Sequence, residues 1–222
     1  MVTFGRINLT RTANILGTGG HARVVISILL SLRLYDEIHL IELGDLRIGE
    51  QILGFKVFSF TEKIKASHSD QKEDFFLAIG CNKKRETYWE LLKEKRLGTP
   101  NLIAPSSFID PSAILGEGNV ICPQAFLGPC SRVGNNNLIN TSALLEHESL
   151  IGNHCHMGPK SVLSGRSTLG NSCFIGVGAQ IIDQLNVASG TIIGAGGCLT
   201  KNISDENQTY VGVPAKMIKL RG

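Results

Sequence analysis

Large rings are scarce in this sequence: aromatic residues fill 6% of its 222 positions, with one Trp and three Tyr. A core of ordinary size must therefore be built from aliphatic side chains set at close, regular intervals. A charge excess of either sign is missing as well. Twenty-two Lys+Arg stand against nineteen Asp+Glu, a net charge of +3, and no basic cluster occurs, so neither nucleic acid nor an anionic membrane is the expected partner. The cysteines at 81, 122, 130, 155, 173 and 198 contain no CxxC pair, which removes zinc ribbons and thioredoxin-like redox centres. Long hydrophobic runs are absent too. The longest largely apolar stretch, Val24 to Leu30, has seven residues, far short of the ~20 needed to span a bilayer. The opening residues lack the apolar segment of a signal peptide. The expectation is a soluble, cytoplasmic protein with reduced thiols, in one large domain or two small ones.

Glycine and a strict period are what the sequence has in excess. Stepping by six from Ile103 to Leu199 meets seventeen aliphatic residues without a slip, eight of them followed by glycine. Two positions before each aliphatic the residue is mostly small, as at Ala125, Ser131, Ala143, Ser149, Cys155 and Ser161. Neither a period of 3.6 nor a period of 2 sustains this pattern. A hexapeptide repeat does, because one flat side of a triangular coil uses six residues. The repeat specifies a left-handed parallel β-helix in a domain of residues 101–222, with eighteen residues per coil; residues 103–204 give nearly six coils, a height of roughly 27 Å at the spacing of paired strands. So thin a core favours packing against copies of itself, and a closed trimer suits the threefold cross-section.

Residues 1–100 follow another grammar. Ala13–Leu16, Ile38–Glu42 and Asp74–Ile79 read as strands, while Arg23–Leu32 and Lys83–Lys95 read as helices. Alternation of this kind implies a small Rossmann-like α/β domain of three or four parallel strands covered on both faces. Its first strand runs into Gly17-Thr18-Gly19-Gly20-His21 and then a helix, the arrangement that lets backbone amides approach a phosphate. Ala22 stands where a third glycine would complete the dinucleotide fingerprint, so a nucleotide joined to something smaller than a second nucleotide is expected.

In the repeat region His147 and Glu148 fall two and three residues past the inward Leu145, at a corner where side chains point out. A histidine beside a carboxylate is suited to take a proton near neutral pH. The plainer alternatives are a surface histidine and a Glu148 that simply pairs with Arg166, one coil above. Gly165, one coil above His147, leaves space beside the imidazole. His147, His154 and His156 together invite a metal reading of the γ-carbonic anhydrase type. The nine-residue step from 147 to 156 crosses to another side of the prism, so no metal site is assigned.

The ordered set Gly17-Thr18-Gly19-Gly20-His21, Ala78-Ile79-Gly80-Cys81-Asn82, Asn140-Thr141-Ser142, Glu146-His147-Glu148 and Val211-Gly212-Val213-Pro214-Ala215-Lys216 resembles the bacterial sugar acyltransferases of the sialic-acid and bacillosamine pathways. The resemblance covers residues 13 to 218. It implies a homotrimer, with active sites between subunits, that uses acetyl-CoA as cosubstrate and holds no bound cofactor. The implied reaction is acetylation of the 4-amino group of a UDP-linked 4-amino-4,6-dideoxy sugar, by direct transfer within a ternary complex. Carried over residue by residue, His147 is the general base and Glu148 orients it. Asn140 is a polar contact of the sugar, and Gly19, Gly20, His21, Glu42, Gly80, Asn82 and Arg85 surround the nucleotide sugar. His156 lies near the thioester, and Gly165, Val177 and Ala195 line the CoA groove. Where relatives carry consecutive Asp residues this chain has Glu42-Leu43-Gly44-Asp45, which leaves the base open between uracil and guanine. O-acetylation of a sialic-acid-like sugar and a non-catalytic trimer that binds a nucleotide sugar stand as alternatives.

Overall fold

The computed structural model describes residues 11–44, 47–67 and 72–218. Its first part is a five-stranded sheet in the order β3-β4-β2-β1-β5. The elements are β1 (Thr12–Leu16), α1 (Gly20–Leu32), β2 (Glu37–Glu42), β3 (Gln51–Ile52), β4 (Phe55–Ser59), α2 (Phe60–Ala66), β5 (Glu73–Leu77) and α3 (Asn82–Glu94). β1 pairs in parallel with β2 and β5, and β2 with β4. β3 is a short antiparallel edge. The sheet is larger than the sequence suggests. β4 and the helix after it were missed because both are brief, and β3 is a two-residue hairpin arm closed by Leu53 and Gly54, both at positive φ. α1 also starts three residues before the expected Arg23, directly after the glycine-rich turn.

β1 lies between β2 and β5, so the chain reverses its direction of sheet growth there, and a crevice opens beyond the carboxyl ends of β1 and β5. The glycine-rich turn and Gly80–Asn82 meet at that crevice. One face of the sheet packs on α1 through Ala13, Ile15, Leu40 and Phe76. The other packs on α2 and α3 through Leu16, Ile41, Phe75 and Leu77.

From Leu102 the chain winds into a left-handed β-helix of short parallel strands, β6 (Leu102–Ile103) to β24 (Lys216–Ile218), of which only the last is antiparallel. Partners lie eighteen residues apart, as in Leu144↔Val162 and Ile151↔Leu169. The second residue of each two-residue strand is the aliphatic of the six-step register, and from Ile121 to Leu199 these side chains fill one buried core. The small residues turn inward beside the corners, where Ser149, Ser161 and Thr191 donate to Glu146, Gly158 and Ala188 carbonyls at 2.7–2.8 Å. From Gly118 to Gly196 each corner turns through a left-handed residue. Gln124, Cys130, Asn136, Ser142, Glu148, His154, Lys160, Arg166 and Ser172 all have φ of 53–60°. Such backbone costs a non-glycine residue roughly 1–2 kcal/mol. From Cys130 onward the N–H at each of these positions bonds the coil below, as Glu148 does to Pro129 at 2.8 Å and Arg166 to His147 at 3.0 Å.

The three flat sides have different fates. The first, with outward Leu102, Val120 and Leu138, is covered by α1. The second presents Phe108 and Phe126, stacked 5.1 Å apart, followed by Leu144 and Val162. The third carries Ile114, Arg132, Leu150, Thr168 and Asn186 outward.

α3 runs down the corner between the third and first sides, meeting about one coil per helical turn. This works because a helical turn rises ~5.4 Å and a coil ~4.8 Å. Asn82 Nδ2 donates to the Ser172 and Cys173 carbonyls at 3.1 and 2.9 Å. Arg85 reaches the His154 and Cys155 carbonyls at 2.9 and 3.0 Å and that of Asn136 at 3.1 Å. Trp89 fills the space beside Gly118, where a Cβ would stand 1.9 Å from its ring. Lys93 pairs with Glu117 at 2.6 Å. Beneath the helix this corner is laddered by asparagines. Asn135, Asn153 and Asn171 accept from the amides of Glu117, Asn135 and Asn153 at 2.7–2.8 Å. Among the described residues no helix is long and apolar enough to cross a membrane.

Candidate active site

The sequence-predicted residues fall into three groups. The first lines the sheet crevice. Gly17 has φ 104°, and a Cβ there would lie 2.9 Å from the Ala78 carbonyl, so this turn accepts only glycine. Gly19, Gly20 and Gly80 face open space, with nothing within 4 Å of an added Cβ. The N-terminus of α1 carries no side-chain cap and no acidic residue in its first turn. Its amides and positive dipole end are therefore available to an anion.

Glu42, at the end of β2, closes on this turn. The Thr18 hydroxyl donates to its Oε2, and the amides of Leu43 and Gly44 donate to its Oε1 at 2.9 and 3.1 Å. Burial works to raise the Glu42 carboxyl, but the Thr18 and backbone hydrogen bonds outweigh it and hold the group below its ordinary value. Asp45, which follows in the sequence, lies outside the described residues.

Above the turn, His156 projects outward from the first side and is buried by the Gly80 loop and by the edge of Phe174, 5.0 Å away between ring centres. Its Nδ1 lies 3.3 Å from the Gly80 carbonyl and its Nε2 lies 3.2 Å from Asn140 Nδ2. The Thr141 amide donates to Asn140 Oδ1 at 2.8 Å, which turns the Asn140 NH2 toward His156. The ring is thus assigned as the Nδ1–H tautomer with its Nε2 lone pair taken by an amide. Burial, with Arg85 nearby, lowers both His156 and His21 to about 4. Neither imidazole is charged near neutral pH. His21 Nε2 is buried without a hydrogen-bond partner among the described residues.

A second group stands at the corner between the second and third sides. His147 and Glu148 are each half exposed, with Nδ1 and Oε2 3.1 Å apart. Glu148 Oε2 also accepts from Arg166 Nε at 2.9 Å. The Arg166 hydrogen bond first, and the His147 contact second, hold Glu148 below its ordinary carboxylate value. Engagement of Nδ1 by the carboxylate leaves Nε2 as the nitrogen able to accept a proton.

The third group, Val177 and Ala195, is exposed at the corner between the first and second sides. One flat side separates it from His147, about five extended residues or roughly 16 Å. A single chain therefore does not bring the two groups together. A cavity of about 520 Å³ opens at the N-terminus of α3, between Gly80–Lys83 and the outward Phe174 and Ile192, and no residue of the His147 corner lines it.

Two expectations change. Asn82 and Arg85 do not present free polar groups to a nucleotide sugar. Arg85 is 2% exposed, and its donors go to carbonyls of the prism, to those of Ile79 and Gly80, and to Asn82 Oδ1. Both side chains fasten the sheet unit to the coils. The space beside His147 is not an open channel either, because a Cβ on Gly165 would come within 2.6 Å of His147 Nε2 and Cε1, so the ring itself occupies it. The helix-corner contacts were missed by the sequence reading, although residues 82, 85, 89 and 93 share one helical face.

A family model for the PglD N-terminal domain matches residues 13–92. The acetyltransferase domain of PglB from Neisseria gonorrhoeae FA1090, solved in complex with acetyl coenzyme A, is 32% identical with a TM-score of 0.88, over 94% of this chain and 100% of that one. The chain belongs to the hexapeptide-repeat sugar N-acetyltransferase family.

This acyltransferase is also similar to PerB from Caulobacter crescentus, solved in complex with CoA and GDP-perosamine. The two are 29% identical with a TM-score of 0.84, over 94% of this chain and 97% of that one. WeeI from Acinetobacter baumannii AYE shares the fold, with a TM-score of 0.80 at 22% identity over 94% of this chain and 100% of that one. No curated protein matches the chain. In this sugar N-acetyltransferase the three groups hold, in turn, a glycine-lined crevice, an imidazole paired with a carboxylate, and an exposed small-residue corner.

Proposed function

We propose that this enzyme transfers the acetyl group of acetyl-CoA to the 4-amino group of a UDP-linked 4-amino-4,6-dideoxy sugar, with His147 as general base. The observation that carries the reading is the His147–Glu148 pair, whose carboxylate engages Nδ1 at 3.1 Å and leaves Nε2 to accept a proton. The sugar's neutral amine attacks the thioester carbonyl carbon and forms the new C–N bond. His147 Nε2 removes a proton from that nitrogen, and Glu148 stabilises the imidazolium. Collapse of the tetrahedral intermediate breaks the C–S bond, and the departing thiolate takes the proton as CoA-SH. His156 has no part in the proton transfer, since both its nitrogens are engaged and burial keeps it neutral.

Residues 1–100 hold the nucleotide sugar in this reading. Its pyrophosphate lies against Gly19, Gly20 and His21 at the N-terminus of α1, and its nucleoside near Glu42. Residues 101–222 hold acetyl-CoA. Gly165 belongs to the His147 corner, and Val177 and Ala195 to the next, so one CoA groove needs both corners from different copies of the chain. A homotrimer with the second side facing its axis supplies them, and the apolar Phe108, Phe126, Leu144 and Val162 suit that burial. PerB's GDP-perosamine supports a nucleotide-linked 4-amino sugar as the substrate class. The free thiols, exposed at Cys81 and Cys130, suit a reducing cytoplasm.

The test is thiol release from acetyl-CoA with UDP- and GDP-linked 4-amino sugars and CMP-sialic acid, run beside His147→Ala. Release with a UDP-amino sugar, slowed about 10²–10⁴-fold in the variant, is the expected result. Release with a GDP-amino sugar alone moves the base to guanine. Release with a hydroxyl acceptor alone overturns N-acetylation.

A further inference from the structure

Arg166 has no place in the reaction as written, yet its guanidinium and the imidazole converge on a single carboxylate oxygen. Arg166 Nε donates to Glu148 Oε2 at 2.9 Å, and His147 Nδ1 meets the same atom at 3.1 Å. The three side chains stack because 148 and 166 are one coil apart at equivalent left-handed positions, with φ of 57° and 59°. The Arg166 amide, moreover, bonds the His147 carbonyl at 3.0 Å, so the arginine's backbone is fixed to the histidine's own. Glu148 is half exposed. A free glutamate there would sample several rotamers, each costing little.

We propose that Arg166 is a positioning residue of the acetyl transfer: it fixes the Glu148 rotamer that holds His147 as the Nδ1–H tautomer, and it draws off part of the carboxylate's charge. The inference rests on the reading of His147 as the base. Two consequences follow from electrostatics. Without the guanidinium, Glu148 leaves its rotamer part of the time and the tautomer mixes. When it does contact the ring, its undivided charge holds the imidazolium more firmly. The charged groups around the imidazole are Glu148 on its own corner, Arg166 on the coil above, and Glu146, whose Oε2 lies 3.4 Å from the His147 amide.

The experiment compares wild type, Arg166→Gln, Arg166→Lys and His147→Ala. It uses kcat pH profiles with a UDP-4-amino-4,6-dideoxy sugar and acetyl-CoA, and imidazole ¹H–¹⁵N spectra without substrate. In Arg166→Gln the acid limb of the kcat profile is expected to move up by about half a unit, the size an exposed ion pair supports. The His147 resonances should show mixed tautomers, and KM for either substrate should stay unchanged. Arg166→Lys should restore the acid limb but not the single tautomer, because an ammonium lacks the directed Nε–H. A profile and spectrum identical to wild type in Arg166→Gln would overturn the proposal. So would a raised KM for acetyl-CoA with an unmoved profile, which would make Arg166 a phosphate contact. Should His147→Ala stay active while the His147 spectrum still responds to Arg166, the base assignment fails and the coupling between the two residues stands.

Discussion

Two corners of the prism share one backbone and are put to opposite uses. Asn153 and His147 occupy the same place in the hexapeptide, and each is followed by a left-handed residue, His154 at φ 60° and Glu148 at φ 57°. Asn153 turns onto its own prism, accepting the Asn135 amide at 2.7 Å. The next residue is covered by α3, with His154 Nε2 3.8 Å from Glu86. His147 cannot satisfy an amide of the neighbouring coil in that way. Its ring lies instead against Gly165 of the coil above, and its polar atoms meet Glu148 and then solvent. The comparison teaches that the hexapeptide turn is chemically neutral. A short amide at this place makes a ladder and a rigid wall, whereas an imidazole beneath a glycine leaves a ring nitrogen toward solvent, as the proposed reaction requires.

Breaking the rigid corner should have the largest effect. Arg85→Ala removes a buried guanidinium and strands the carbonyls of Asn136 and His154 that it satisfies, while the Cys155 carbonyl keeps the Leu138 amide. A loss of about 3–5 kcal/mol is expected, measured by chemical denaturation, with the sheet unit coming loose from the coils. A variant as stable as wild type would mean that α3 is held by Trp89 and Lys93 instead. Gly165→Ala acts next, at the other corner. Its Cβ would displace the His147 ring rather than backbone, so the melting temperature should hold within a few degrees while kcat falls on the order of a hundredfold. Unchanged kcat in a folded Gly165→Ala would show that the ring position seen against Gly165 is not the working one. The smallest change is Asn153→Ala, which deletes one rung of the ladder. It should cost about 1 kcal/mol by thermal unfolding and leave activity untouched. A loss of activity there would tie the rigid corner to catalysis and undo the contrast.

How much of this was legible depends on the range of the interactions. The six-residue register survives into the structure residue for residue, from Ile103 to Leu199, because each aliphatic answers to a local rule: two residues of strand, then a turn. The glycine-rich turn before α1 was legible for the same reason. β3 and β4 were not, since a two-residue arm and a five-residue strand with half-buried phenylalanines give too little periodicity. His147 and Glu148 could be placed at a corner from the register alone. That Arg166 shares their oxygen, rather than merely pairing with Glu148, needed side-chain positions.

By itself, then, the sequence determined a prism of aliphatic coils, a parallel sheet with a glycine-lined crevice, and an outward histidine beside a carboxylate. These follow from patterns repeated every two, six or eighteen residues along one chain. Only the tertiary structure decided that Asn82 and Arg85 serve as fasteners, that His156 is sealed beneath Gly80, and that the His147 ring fills the space of Gly165. Each of these depends on which surfaces meet. Burial and hydrogen-bond satisfaction are set by the neighbouring element, and a residue's own sequence context does not specify that neighbour.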